Sequence, residues 1–201
     1  MFDAANQAIF AMLKAPETAD SKVLELARFC VEILLYLAVL GLVLGWVWGR
    51  PQLRRAVFLG RLSVVLGLLV NWLIGAFWFH PRPFVAGIGH QFPAHLPETS
   101  FPGDHGTILF AIAFALLASA GARLWGLVAL LLALVAAWGR IYLGVHWPLD
   151  MAGSALVALL CVILWLTVLR RPLAWLCSLW TRLYKGTCAV LHLPPALFPR
   201  A

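Results

Sequence analysis

The sequence predicts an all-α integral-membrane fold. It is a helical bundle of about five transmembrane helices, with a sixth as the weaker alternative, flanked by an N-terminal and a C-terminal amphipathic helix. Three observations carry that prediction. Hydrophobic residues make up 63% of the chain and charged residues only 11%, against about a quarter charged in soluble domains. Apolar runs near or above the ~20 residues that cross a bilayer recur along most of the length. The basic residues gather in short segments between those runs, where topology signals sit. Residues 1–201 therefore read as one membrane domain.

The elements follow in order. Residues 2–14 have apolar side chains at helical spacing but are too short to cross, so they belong in the interface or dip into the membrane. Spanning helices are predicted over about 28–49, 56–79, 104–121, 123–139 and 149–169. The third and fourth are short and joined by a tight Gly121–Arg123 turn, which makes them a hairpin. The tail over 172–201 mixes Trp175, Leu176, Leu179, Trp180 and Leu183 with Arg182 and Lys185. That pattern reads as an amphipathic surface helix.

Charge then orients the bundle. With the 50–55 turn inside, Arg50, Arg54, Arg55, Arg123, Arg170, Arg171, Arg182, Lys185 and Arg200 are cytoplasmic. Lys14, Lys22, Arg28, Arg82 and Arg140 are outside, an asymmetry that obeys the positive-inside rule. The N-terminus is then outside, the C-terminus inside, and the 80–104 and 140–148 loops share the external face.

The net charge of +7 does not indicate nucleic acid, because no basic stripe interleaves with exposed aromatics. Cys30, Cys161, Cys177 and Cys188 form no CxxC pair and sit in or beside apolar segments, so neither a zinc site nor a disulfide framework is expected. The first fifteen residues lack a basic n-region and a small-residue cleavage pattern and are not read as a removable signal peptide.

Three segments carry chemistry. In GRIYLGVHWPLD (139–150), Arg140 and His146 flank a glycine-containing turn, and Pro148 suits the first turn of the next helix. Asp150, four residues after His146, can reach back to the imidazole, fix its tautomer and leave the other nitrogen a better nucleophile. Arg140 can take a phosphate bidentately. In SFPGDHG (100–106), Ser100 can cap and Pro102 can occupy the first turn of a helix whose N-terminus is an anion site. Gly103 admits close backbone approach, and His105 can protonate a leaving oxygen. In HPRPF (80–84), two prolines hold Arg82 on a stiff backbone at the membrane edge. Each segment also admits a plainer reading: an acid favoured at a helix start, a well-capped helix, a basic interfacial turn. Their convergence on one membrane face favours a phosphoryl site.

These residues resemble the signature of the type 2 phosphatidic acid phosphatase superfamily: Lys-x6-Arg-Pro, Pro-Ser-Gly-His, then Ser-Arg-x5-His-x3-Asp. The matches are Arg82-Pro83, Pro102 with His105, and Arg140, His146 and Asp150, within a signature region of 75–154. The resemblance implies that His146 is the nucleophile, forming a phosphohistidine, and that Asp150 orients it. It implies that His105 protonates the leaving group and later activates water. Arg82 and Arg140 would hold the phosphate with help from the backbone at Gly103, and no metal or other cofactor would be needed. The sequence departs from the pattern at Gly75, where the lysine would fall, at Gly103 and Gly139, where serines would stand, and at Asp104. His80, Ser100 and Thr107 are the nearby groups that could substitute, and Asp104, Ser100 and His80 join the substrate-binding candidates.

Within the superfamily, the short chain and the PRPF and GVHWPLD segments are most similar to the bacitracin-resistance undecaprenyl-diphosphatases. That similarity implies a polyprenyl diphosphate substrate and a place in peptidoglycan synthesis. The alternatives are a phosphatase or phosphotransferase for phosphatidylglycerol phosphate, phosphatidic acid or lipid A; a metal-dependent hydrolase, unsupported by any HExxH or DxxxD pair; and a non-catalytic headgroup-binding or transport protein.

Overall fold

Long apolar runs fold as helices because a lipid environment leaves backbone groups no partner but one another, and prolines and polar caps set where each run stops. In a computed structural model, which describes residues 2–88, 92, 96–195 and 197–199, the elements are α1 (Phe2–Leu13), α2 (Ser21–Trp48), α3 (Pro51–Phe77), α4 (Asp104–Leu117), a 3-10 turn (Ala120–Ala122), α5 (Arg123–Tyr142), α6 (Pro148–Leu166) and α7 (Arg170–Val190). Asp20 starts α2 by accepting a hydrogen bond from the Lys22 N–H at 2.8 Å. Pro51 and Pro148 open α3 and α6, where a missing N–H costs nothing. The prolines at 81 and 83 forbid continuation of α3. The loop histidines His90 and His95, and Arg200, lie outside the described residues.

Helices α2, α3, α6 and the unit from the 3-10 turn through α5 are long and apolar enough to cross a membrane, and the chain is a multi-pass membrane protein. Helix α4 differs from its expected extent of 104–121. Its 14 residues span about 21 Å, short of the ~30 Å hydrocarbon core. It need not reach across, because it is the centre of the bundle. Leu109, Phe110, Ala111, Ile112, Ala113 and Ala115 are all buried between α3, α5 and α6. The α4–α5 hairpin is tight enough to require a glycine: a Cβ on Gly126 would sit 2.5 Å from the Leu117 backbone nitrogen.

The two ends of the bundle differ. At one end α1 is folded onto the bundle, with Phe10 fully buried against Trp147 (ring centroids 5.0 Å apart). Asn6 accepts from the Leu149 N–H at the start of α6, and the Ala15 N–H donates to the Tyr142 carbonyl. The 80–104 loop is closed at its neck by Ser100 N–H to the His80 carbonyl (2.7 Å). Arg28 of α2 pins it through the Phe92 carbonyl (2.7 Å). The predicted pairing of the 80–104 and 140–148 loops at one end therefore holds. At the other end, α7 docks Trp180 and Tyr184 edge-on against Trp46, and the terminal segment is tied down through Trp48 to the Leu197 carbonyl and Arg54 to the Pro199 carbonyl.

Candidate active site

The turn between α5 and α6 builds the centre. The Arg140 carbonyl accepts from the N–H groups of Val145 (3.0 Å) and His146 (3.3 Å), folding the chain back within five residues. Gly144 takes φ +75° there, a left-handed conformation that costs glycine nothing. The result drops His146 into the interior, 2% exposed.

Its neighbours fix the imidazole's tautomer without reference to any hydrogen position. Nδ1 lies 3.1 Å from the Ser100 carbonyl, which can only accept, and 3.3 Å from Asp150 Oδ2, so Nδ1 carries the proton. Nε2 lies 3.1 Å from Nη1 of Arg82, which can only donate. Nε2 therefore presents a lone pair. Burial pushes the His146 pKa down to about 4, the arginines at 140 and 82 push the same way, and Asp150 opposes them. A neutral ring with an unprotonated acceptor nitrogen is the form a nucleophile needs.

Asp150 is completely buried. Oδ2 accepts from the Ser100 hydroxyl, from the Trp147 N–H at 2.8 Å and from His146, while His80 Nδ1 stands 3.6 Å from Oδ1. The carboxylate therefore meets both the start of α6 and the imidazole. Ser100 is a correction. It does not cap α4, whose N-cap is Gly103, and Pro102 precedes the helix rather than entering its first turn. The single hydroxyl proton of Ser100 goes to Asp150.

Two arginines converge beside the ring. Arg82 Nη1 also donates to the Val145 carbonyl at 3.2 Å. Burial pulls Arg82 below the ordinary guanidinium range, and Asp150, Glu98 and Asp104 oppose it. Arg140, in the last turn of α5 and 5% exposed, feels the charges of Arg82 and Asp104. The Nε of each arginine is buried without a hydrogen-bond partner among the described residues. Paired buried cations with unspent donors fit an oxyanion.

Helix α4 supplies a third donor set. Its first intrahelical bond runs from the Thr107 N–H to the Gly103 carbonyl, so the N–H groups ahead of Thr107, at Asp104 and Gly106 among them, have no intrahelical acceptor. A Cβ on Gly103 would meet Met151 Cε at 2.5 Å and His146 Cε1 at 3.1 Å, which places the helix start directly against the imidazole. His105 stands in that first turn, half-buried. Asp104 is exposed and accepts from Asn71 Nδ2 at 2.8 Å.

The departures from the signature have packing reasons. A Cβ on Gly75 would approach Thr99 Cγ2 to 2.8 Å, so the loop occupies the space a lysine would need. Gly139 sits against α2, with its Cβ position 3.2 Å from the Ala27 carbonyl oxygen. Of the suggested substitutes, Ser100 is committed to Asp150 and Thr107 accepts from Asn71 at 2.9 Å. His80 Nδ1 stands 3.6 Å from the other carboxylate oxygen, Asp150 Oδ1.

Three contributors escaped the sequence reading. Asn71 is a buried amide in a spanning helix, a placement that itself signals a polar site. Ser154 clamps α4 to α6 by donating to the Gly103 carbonyl at 2.8 Å. Trp147 ties the two loops together through Nε1 to the Pro81 carbonyl at 2.9 Å.

The profile of the PAP2 superfamily matches residues 56–174. The chain is 38% identical over 161 residues, 80% of each chain, to YbjG of Escherichia coli K12, provisionally named an undecaprenyl-diphosphatase. It is 33% identical over 155 residues to the undecaprenyl-diphosphatase BcrC of Bacillus subtilis 168, covering 77% of this chain and 79% of that one. Among solved structures, LpxE of Aquifex aeolicus superposes with a TM-score of 0.62 at 23% identity, covering 79% of this chain and 93% of that one, a likeness of fold.

Proposed function

The chain belongs to the PAP2 superfamily, and from that premise we propose that it is a membrane lipid phosphatase that hydrolyses undecaprenyl diphosphate to undecaprenyl phosphate and inorganic phosphate. The reaction class is carried by one observation: His146 is held as the Nδ1–H tautomer by Asp150 and the Ser100 carbonyl, with Nε2 beside Arg82. The substrate is supported by the names of the two relatives.

The geometry supports the following steps. The terminal phosphate enters among Arg82, Arg140 and the start of α4, which spread its charge over fixed donors rather than over water. His146 Nε2 attacks the terminal phosphorus as the bridging P–O bond breaks. Asp150 stabilises the positive charge that develops on the ring. His105 gives its proton to the departing lipid phosphate, then takes one from the water that cleaves the P–N bond and frees phosphate. Asn71 keeps the Asp104 carboxylate at a set position beside this exchange.

A substrate panel tests the reading. Purified protein should release phosphate from undecaprenyl diphosphate at least tenfold faster than from phosphatidylglycerol phosphate, phosphatidic acid or lipid A. Faster release from any of those three would move the chain to another lipid within the superfamily.

The side of the membrane is part of the same proposal. The end opposite the site carries Arg50, Arg54, Arg55, Arg123, Arg170, Arg171, Arg182 and Lys185, which supports a cytoplasmic assignment for it, with the C-terminus, and an external assignment for the site. A cysteine at exposed Ala86 should react with an impermeant maleimide in intact cells. Reaction only after permeabilisation reverses the orientation.

A further inference from the structure

Asp150 carries its hydrogen bonds on one oxygen only. Oδ2 accepts from the Ser100 hydroxyl, the Trp147 N–H and His146 Nδ1. Oδ1 is buried without a hydrogen-bond partner among the described residues, a state that costs free energy for a carboxylate oxygen. A second orphaned atom faces it. His80 Nδ1 is likewise buried without a hydrogen-bond partner among the described residues, and it stands 3.6 Å from Oδ1. The gap exceeds an ordinary N–H···O hydrogen bond by about 0.7 Å. Hydrogen bonds in unliganded active sites commonly tighten when substrate arrives.

His80 is held in place for this contact. Its carbonyl accepts from the Ser100 N–H at 2.7 Å, and its own N–H donates to Thr99 Oγ1 at 3.2 Å. The loop segment that brings Ser100 to Asp150 therefore fixes the His80 backbone as well. The ring lies among Trp78, Phe101 and Trp147, with centroids 5.5, 6.4 and 6.5 Å away. An aspartate carboxylate turns readily about its last torsion, whose preference is broad and two-fold. A donor on Oδ1 would stop that rotation.

We propose that His80 is a positioning residue for phosphoryl transfer: it donates Nδ1–H to Asp150 Oδ1 and so keeps Oδ2 on His146 Nδ1 while positive charge develops on that ring. The inference rests on His146 being the nucleophile. The proton stays on His80 throughout, and His80 serves the phosphate through Asp150 rather than by contact.

The test compares His80→Gln with His80→Asn in the full-length protein in detergent, with undecaprenyl diphosphate labelled in its terminal phosphate. Both variants lose the ring, but an asparagine amide falls near the Nδ1 position and a glutamine amide near Nε2. His80→Gln should lose about 10–100-fold in kcat and in the rate of label transfer to His146, the scale of partners that orient a functional imidazole from behind. Its KM should stay within about threefold of the parent's, because a group needed only in the transition state leaves binding alone. His80→Asn should recover most of the loss, to within roughly fivefold of the parent, since its amide can donate to Oδ1. If another member of the substrate panel is turned over fastest, the same ratios are read on that lipid. Equal loss in the two variants would make His80 a packing residue among the aromatic rings, and a loss confined to KM would make it a phosphate contact; either overturns the proposal. A parent that never labels His146 overturns the nucleophile and this proposal together, whereas a labelled parent with an unimpaired His80→Gln overturns this proposal alone.

Discussion

His146→Ala should reduce turnover of undecaprenyl diphosphate by at least about 10^4-fold, the scale on which loss of a covalent nucleophile falls, while the lipid still binds. The structure gives the reason binding survives. The donors assigned to the phosphate are Arg82, Arg140 and the start of α4, and none of them is supplied by the imidazole. Removing the ring also frees Arg82 Nη1, now 3.1 Å from Nε2, to reach an anion. Substrate retention within about threefold of the parent, measured on a turnover-dead variant, separates nucleophile loss from collapse of the site. Residual hydrolysis above a hundredth of the parent rate would remove His146 from the role.

Arg140→Gln is the second large effect, and it runs in opposite directions for activity and stability. Arg140 is a 5% exposed cation whose Nε has no hydrogen-bond partner among the described residues. Burying a charge without full compensation is unfavourable, and such costs persist where function needs them. The variant should lose about 10^2–10^3-fold in kcat/KM, the cost of one preorganised donor at a developing charge. Its thermal midpoint in detergent should match or exceed the parent's. A fall in midpoint alongside the fall in activity would make Arg140 a structural residue.

Much of this is legible in the sequence. The helices follow from apolar runs and from Pro51, Pro81, Pro83 and Pro148, which bound them by local chemistry. The i,i+4 relation of His146 and Asp150 needs only helix geometry, and the charge pattern brings the two loops to one end. What was hidden is long-range. Ser100 looks like a helix cap in sequence, yet its hydroxyl is captured by Asp150, fifty residues away. Gly75 and Gly139 look like lost functional groups until Thr99 and the α2 backbone are seen against them. Asn71 is an isolated amide in an apolar run and acquires meaning only when α4 brings Asp104 and Thr107 beside it. Helix α4 ends at Leu117, short of the apolar run that predicts it to 121, because hydropathy reports lipid-facing and core-facing apolar residues alike.

Asp150 and the Ser100 carbonyl hold His146 Nδ1 and Arg82 faces Nε2, and the proposed mechanism stands on what Nε2 does. Brief reaction with substrate labelled in its terminal phosphate, quenched under alkaline conditions that preserve phosphohistidine, measures it directly. The label should appear on the peptide containing His146, form faster than phosphate is released, and be absent from His146→Ala. Label on His105 instead, or rapid phosphate release with no labelled protein at any time, would contradict the mechanism.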